Sequence, residues 1–142
     1  RRGLSAWTAL RDCADVVDAA REALCACRLE AVAEAPVESL AYGQRRQLEI
    51  AMALAGQPSV LLLDEPMAGM SAAESAGVIA LLQSLKGRYT IVLVEHDMNA
   101  VFALADRISV LVYGKIIATG TADAIRNHPD VRRAYLGDDA DA

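Results

Sequence analysis

The stretch Val60-Leu61-Leu62-Leu63-Asp64-Glu65-Pro66 decides the fold. An unbroken apolar run that stops on two adjacent carboxylates reads as a strand of a parallel sheet, apolar on both faces because both are covered. Open α/β sheets place their ligands at the carboxyl ends of the strands, so Asp64 and Glu65 stand where a site is expected. Successive strand residues point to opposite sides, which gives the two acids different tasks: one beside a phosphate-bound Mg2+, the other facing an attacking water. The alternative reading of the run alone is a buried strand that ends in a solvated acidic turn.

Upstream, Leu40-Ala41-Tyr42-Gly43-Gln44-Arg45-Arg46 feeds a helix over Gly43 to Ala55, with apolar residues at Leu48, Ala51, Met52 and Leu54 and a stop at Gly56-Gln57-Pro58. Gly43 lets the backbone approach a ligand and Gln44 opens the helix. Further upstream, Leu10, Cys13, Val17, Ala20, Leu24 and Cys27 recur at three and four as one stripe of an amphipathic helix, and Pro36 closes the linker that follows. Downstream, Ser71-Ala72-Ala73-Glu74 has capping-box spacing and opens a helix containing Val78, Leu81, Leu82 and Leu85, which Gly87 ends.

Thr90 to Val94 is a second buried strand, running into Glu95-His96-Asp97, with Asp97 as the cap of a helix carrying Val101, Phe102 and Ala105. Ile108 to Val112, Gly114, and Ile116 to Ala118 read as a hairpin. Thr121 caps a short helix, and Pro129 opens another that ends near Leu136-Gly137. Strands alternating with helices predict a mostly parallel α/β sheet flanked by helices and finished by an antiparallel hairpin.

A chain of 142 residues with 54% apolar content can fill one core. The net charge of -5, with acids gathered at Asp138, Asp139 and Asp141, argues against nucleic acid as a partner. No stretch approaches the roughly 18 to 20 apolar residues that span a bilayer, and no signal-peptide pattern opens the chain. Cys13, Cys25 and Cys27 sit in an Ala-rich helical pattern without histidine nearby and read as reduced, mostly buried thiols, which fits a reducing cytoplasmic compartment. Met67 and Met70 read as packing residues, and Trp7 as either core or a contact with a partner.

In order and spacing, the segments 40–46, 60–66 and 92–97 resemble the signature loop, Walker B strand and switch histidine of the ATPase subunits of ABC transporters, and the resemblance runs from about Ala14 to Gly137. It implies a partial ABC-ATPase fold of the P-loop type, with residues 1–39 as part of the helical subdomain and linker and 40–142 as the C-terminal part of the ATPase core. The implied cofactors are ATP and Mg2+. Leu40, Ala41, Tyr42, Gly43 and Gln44 would contact the γ-phosphate held by the opposite subunit of a head-to-tail dimer, at a helix N-terminus suited to anions. Glu65 would be the general base, Asp64 would hold Mg2+ through a water, His96 would hydrogen-bond the γ-phosphate, and Gly69, Met70 and Ser71 would form the D-loop. The implied partners are a second ATPase subunit, transmembrane permease subunits and, indirectly, a substrate-binding protein, at the cytoplasmic face of the membrane. Two departures stand out: Ala41-Tyr42 replaces the usual Ser-Gly, and Ser71 replaces an aspartate common in the D-loop.

The block from Leu40 to Ala51, the run Glu95 to Met98 and the ending Asn127 to Gly137 look most like the branched-chain amino acid uptake ATPases, with the lipopolysaccharide-export ATPase as the second resemblance. The sequence holds no G-x-x-x-x-G-K-[ST] loop and begins without methionine. We therefore expect the C-terminal portion of a longer subunit, inactive and marginally stable alone, with an exposed strand face and edge. Two other classes compete: a non-catalytic truncated interaction module, and a chromosome- or repair-type ATPase, which would need a coiled-coil insertion and a basic surface.

Overall fold

A computed structural model describes residues 13–136, so Trp7, Leu10 and the acidic tail from Asp138 lie outside the described residues. The described residues form two compact units, one ending at Val94 and the other beginning at Glu95.

The first unit opens with helix α1 (Ala14–Ala26), followed by single turns at Glu30–Val32 and Val37–Ser39. Helix α2 (Tyr42–Ala55), strand β1 (Val60–Asp64), helix α3 (Ala72–Leu85) and strand β2 (Thr90–Val94) complete it. Helix α1 packs on α2, and α2 on α3. The α3 stripe Val78, Leu81, Leu82 and Leu85 follows the i, i+3, i+4, i+7 pattern, and all four residues are almost wholly buried. On α2 the inward residues are Ile50, Ala51 and Leu54, while Met52, expected on that face, is 70% exposed. On α1 the deeply buried positions are Ala23 and the flanking Cys27, and Ala20 faces out.

Strands β1 and β2 pair in parallel from Val60 with Thr90 to Asp64 with Val94. The pair alternates instead of being buried on both faces. Leu61 is buried, Leu63, Ile91 and Leu93 are half-buried, and Val60, Leu62, Val92 and Val94 are exposed, Leu62 by 74%. A parallel strand is covered on both sides only where a layer stands on each, and the described residues cover one.

The cysteines divide in the same way. Cys27 is buried, and desolvation pushes its thiol up to about 11. Cys13 is half-buried and Cys25 is exposed, so the expectation of mostly buried thiols holds for Cys27 alone. Neighbouring Glu30 raises the Cys25 thiol through a hydrogen bond to its carboxylate.

The second unit contains helix α4 (Met98–Leu104), the antiparallel pair β3 (Ile108–Val112) and β4 (Lys115–Gly120), helix α5 (Ala122–Arg126) and the turn α6 (Pro129–Val131), continued by a wider turn to Leu136. Among the described residues the hairpin is a two-stranded sheet of its own, where the sequence predicts that it finishes the parallel one. Tyr113 and Gly114 both take positive φ, 46° and 75°, the two-residue turn whose twist matches that of the strands. Ile108, Val110, Ile125 and Val131 form the buried cluster of this unit, and the Tyr135 hydroxyl donates to the Leu111 carbonyl at 2.7 Å.

Packing of α3 predicts a sharp contrast between two leucines. Leu82→Ala is expected to cost about 2–5 kcal/mol of unfolding free energy. Leu62→Ser, on the open face of β1, is expected to stay within about 0.5 kcal/mol. Urea unfolding of the two variants checks both.

Candidate functional site

The start of α2 is built from what surrounds Ala41. Leu40 is buried, and its carbonyl accepts from Arg45 Nε at 3.0 Å, so the side chain of the helix turns back to hold the segment that enters it. Ala41 is the extended N-cap residue but carries no oxygen to cap with. Only the reciprocal half of a capping box forms: Gln44 Oε1 accepts from the Ala41 N–H at 3.0 Å. Gln44 is thus the third helical residue, and the helix opens at Tyr42 because the Gln44 side chain folds back over that first turn.

Tyr42 reaches across to the loop that follows β1. Its hydroxyl donates to the Ala68 carbonyl at 3.0 Å and accepts from Arg46 Nη2 at 3.0 Å. Arg46 also pairs with Glu49 at 2.8 Å and lies over the Tyr42 ring, 5.4 Å from its centroid. Gly69 takes φ 75°, and a Cβ there would sit 3.4 Å from the phenol oxygen.

Two residues on, Ser71 caps α3. Glu74 Oε2 accepts from the Ser71 hydroxyl at 2.7 Å and from its N–H at 2.9 Å, the capping box expected from the sequence. The Glu74 side chain also closes on Gly43, whose missing Cβ would lie 3.4 Å from Glu74 Cγ. The Ser71 hydroxyl, then the Ser71 N–H, with a smaller part from the Gly43 N–H, hold the Glu74 carboxyl below its ordinary value. A cleft of about 320 Å³ lies between the two helix starts, lined by Ala41, Gly43, Gln44 and Glu74 among others. The structure therefore brings the two predicted segments, 40–44 and 69–71, together.

Asp64 closes β1 opposite Val94 and is exposed. Glu65, also exposed, adopts φ 43°, a left-handed conformation that costs a non-glycine residue roughly 1 kcal/mol or more. Its N–H donates to the Val94 carbonyl at 2.9 Å, one rung beyond the strand, and its carbonyl accepts from the Ala68 N–H at 3.1 Å. Pro66 and Met67 are buried beneath this turn. These acids offer hard oxygen donors. Among the described residues no group of three or more His, Cys, Asp or Glu side chains could hold a metal.

His96 belongs to the second unit and its side chain is 69% exposed. The residue before it was not singled out from the sequence and organises the segment. The Glu95 side chain is 1% exposed, and Oε2 accepts from the backbone N–H of His96 at 3.0 Å and of Asp97 at 3.4 Å. Asp97 in turn caps α4 by accepting from Asn99 and Ala100. Glu95 is a charge beside a histidine at a strand end, and that adjacency was the available signal.

Residues 5–68 match the sequence model of the ABC transporter family, and residues 115–141 match that of the branched-chain amino acid ATP-binding cassette transporter. The high-affinity branched-chain amino acid transport ATP-binding protein LivG of Escherichia coli K12 is 47% identical over 102 residues, 70% of this chain and 40% of LivG. The lipopolysaccharide export system ATP-binding protein LptB of Haemophilus influenzae is 37% identical over 102 residues, 71% of this chain and 42% of LptB. The chain thus spans about 40% of the length of the curated relatives it matches. Among solved structures, the ADP conformation of MJ1267, an ATP-binding cassette of an ABC transporter, superposes with a TM-score of 0.79 at 24% identity, covering 97% of this chain and 54% of MJ1267. That likeness establishes the fold.

The depressed Glu74 carboxyl predicts a pH signature with a fixed sign. A carboxyl held down in the folded chain adds stability that is complete above its unfolded value near 4.5 and lost as pH falls through the lower folded value. Chemical denaturation is expected to show the native chain more stable than Glu74→Gln at neutral pH, with the difference shrinking in acid below 4.5.

Proposed function

The chain belongs to the ABC transporter ATP-binding family, and from that premise we propose that it serves in the ATP-binding and hydrolysing subunit of a transporter that energises branched-chain amino acid uptake. The observation that carries the cargo class is the 47% identity with LivG, joined by the match of residues 115–141 to the branched-chain family. The lipopolysaccharide-export alternative has less support, at 37% identity.

The assigned roles follow from charge and position. Glu65, an exposed carboxylate whose backbone N–H makes the last rung of the β1–β2 ladder, accepts the proton of the water that attacks the γ-phosphate. Asp64 would hold Mg2+ through a water, the ion supplying neutralisation of phosphate charge. His96 donates to the γ-phosphate from a loop held by the Glu95 side chain. Leu40, Ala41, Tyr42, Gly43 and Gln44 face nucleotide bound to a second ATPase subunit, with Gly69, Met70 and Ser71 as the neighbouring D-loop. Ala41 supplies no hydroxyl where the family pattern has serine, which forfeits a charge-assisted bond worth about 1.5–3 kcal/mol.

These 142 residues contain no P-loop, so the activity needs a phosphate-binding loop from outside them. On this reading residues 1–39 are part of the helical subdomain and linker, and 40–142 are the C-terminal part of the ATPase core. Among the described residues no helix is long and apolar enough to cross a membrane. The chain acts at the cytoplasmic face against permease subunits, which receive cargo from a binding protein.

In the assembled transporter, Glu65→Gln is expected to bind ATP while turnover falls by about 10²–10⁴-fold; near-normal turnover would sink the assignment of the base. Asp64→Asn is expected to weaken Mg-dependent binding itself. Titration calorimetry of the 142-residue chain with Mg-ATP is expected to show no binding, and micromolar binding abolished by Asp64→Asn would reveal a nucleotide site built without a P-loop.

A further inference from the structure

The loop after β1 meets the start of α2 through the side chain of Tyr42. Tyr42 and Ala68 are 26 residues apart, so the bond between the phenol and the Ala68 carbonyl is a tertiary contact. The hydroxyl donates in one direction and accepts from Arg46 in the other, which uses its single donor and fixes its rotation. Arg46 is itself anchored by Glu49, one turn along the same helix. On the loop side the ring lies against Gly69, a residue whose positive φ and missing Cβ leave room for it.

The loop is seated by the buried Met67 at its start and is otherwise held locally. Its backbone bonds are short-range, from Ala68 N–H to the Glu65 carbonyl and from Met70 N–H to the Met67 carbonyl, and the Ser71 N–H goes to Glu74. Short loops held by local, solvent-exposed bonds open at low free energy. A phenol fixed from two sides and planted on the middle of such a loop adds a tertiary restraint to these local bonds.

We infer that Tyr42 is a positioning residue: its phenol latches the start of α2 to loop 67–71, so that the two segments move as one body. The effect on turnover rests on the function proposed above. The latch itself does not.

The test uses Tyr42→Phe, Gly69→Ala and the double variant, made in the full 142-residue chain and read by amide hydrogen exchange. Tyr42→Phe keeps the ring and removes the hydroxyl. Exchange at Ala68, Met70 and Ser71 is expected to rise about fivefold, the worth of one net hydrogen bond, while amides of β1 and of the α3 stretch 78–85 stay within about twofold of native. Gly69→Ala, which disturbs the same contact from the loop side, is expected to loosen the same three amides, and by less when Tyr42 is already Phe. Unchanged exchange at 68–71, an equal rise throughout the first unit, or strict additivity of the two substitutions would each overturn the latch.

In the assembled transporter, Tyr42→Phe is expected to lower kcat for Mg-ATP by about threefold or more with KM within about twofold. A loosened loop with native kcat would overturn the role in turnover. A native transporter without Mg-ATPase activity would overturn the functional reading, and with it that role, leaving the exchange result to decide the latch.

Discussion

The parallel pairing of Val60–Asp64 with Thr90–Val94 is the constraint on which the rest of the first unit's site depends. It fixes where the chain changes from apolar to charged, and it extends one rung further through the bond from the Glu65 N–H to the Val94 carbonyl. That rung holds Glu65 in its left-handed conformation as the chain leaves the sheet. The turn that follows buries Pro66 and Met67 and delivers Ala68 and Gly69 to the phenol of Tyr42. The backbone at Glu65 is therefore held by the sheet on one side and by the buried Pro66 and Met67 on the other. A reacting group benefits from such a setting because small misplacements are costly in rate.

The same ladder explains the open apolar face. The run from Val60 to Leu63 is apolar at every position, as a strand covered on both sides requires. With β1 and β2 as the only pair in their sheet among the described residues, Leu61 goes inward while Val60, Leu62, Val92 and Val94 remain exposed. Apolar surface left in water forgoes roughly 25 cal/mol for each Å² that a covering layer would remove. The sequence is thus written for more cover than the described residues provide, in keeping with a chain that spans 40% of LivG.

What could be read from the sequence was local or periodic. The Ser71–Glu74 box, the Asp97 and Thr121 caps and the α3 stripe each depend on residues three or four apart, where spacing alone fixes geometry. The strand ending on Asp64-Glu65 was equally legible because its switch from apolar to charged is abrupt. Burial was less so: Leu62 and Met52 look like core residues in a pattern, yet their exposure is decided by which layers surround them. The Tyr42–Ala68 bond and the burial of Glu95 depend on contacts that no spacing encodes. Tyr42 stood out only as a departure from the family's glycine, and Glu95 only as the neighbour of a histidine.

That departure has a coherent physical form. With Ala41 as N-cap, α2 loses the hydroxyl that would meet one of its free amides. The chain answers with carbonyl and carboxylate oxygens drawn from elsewhere: Gln44 folds back to the Ala41 N–H, and Glu74 comes from the start of α3 to Gly43. A carboxylate beside the positive end of a fourteen-residue helix is favourable. Meanwhile the hydroxyl that the sequence does supply, on Tyr42, is turned to the Ala68 carbonyl. The replacement of Ser-Gly by Ala-Tyr therefore moves hydrogen-bonding capacity from the helix end into the joint between two loops, exchanging a contact suited to a ligand for one that holds the protein together.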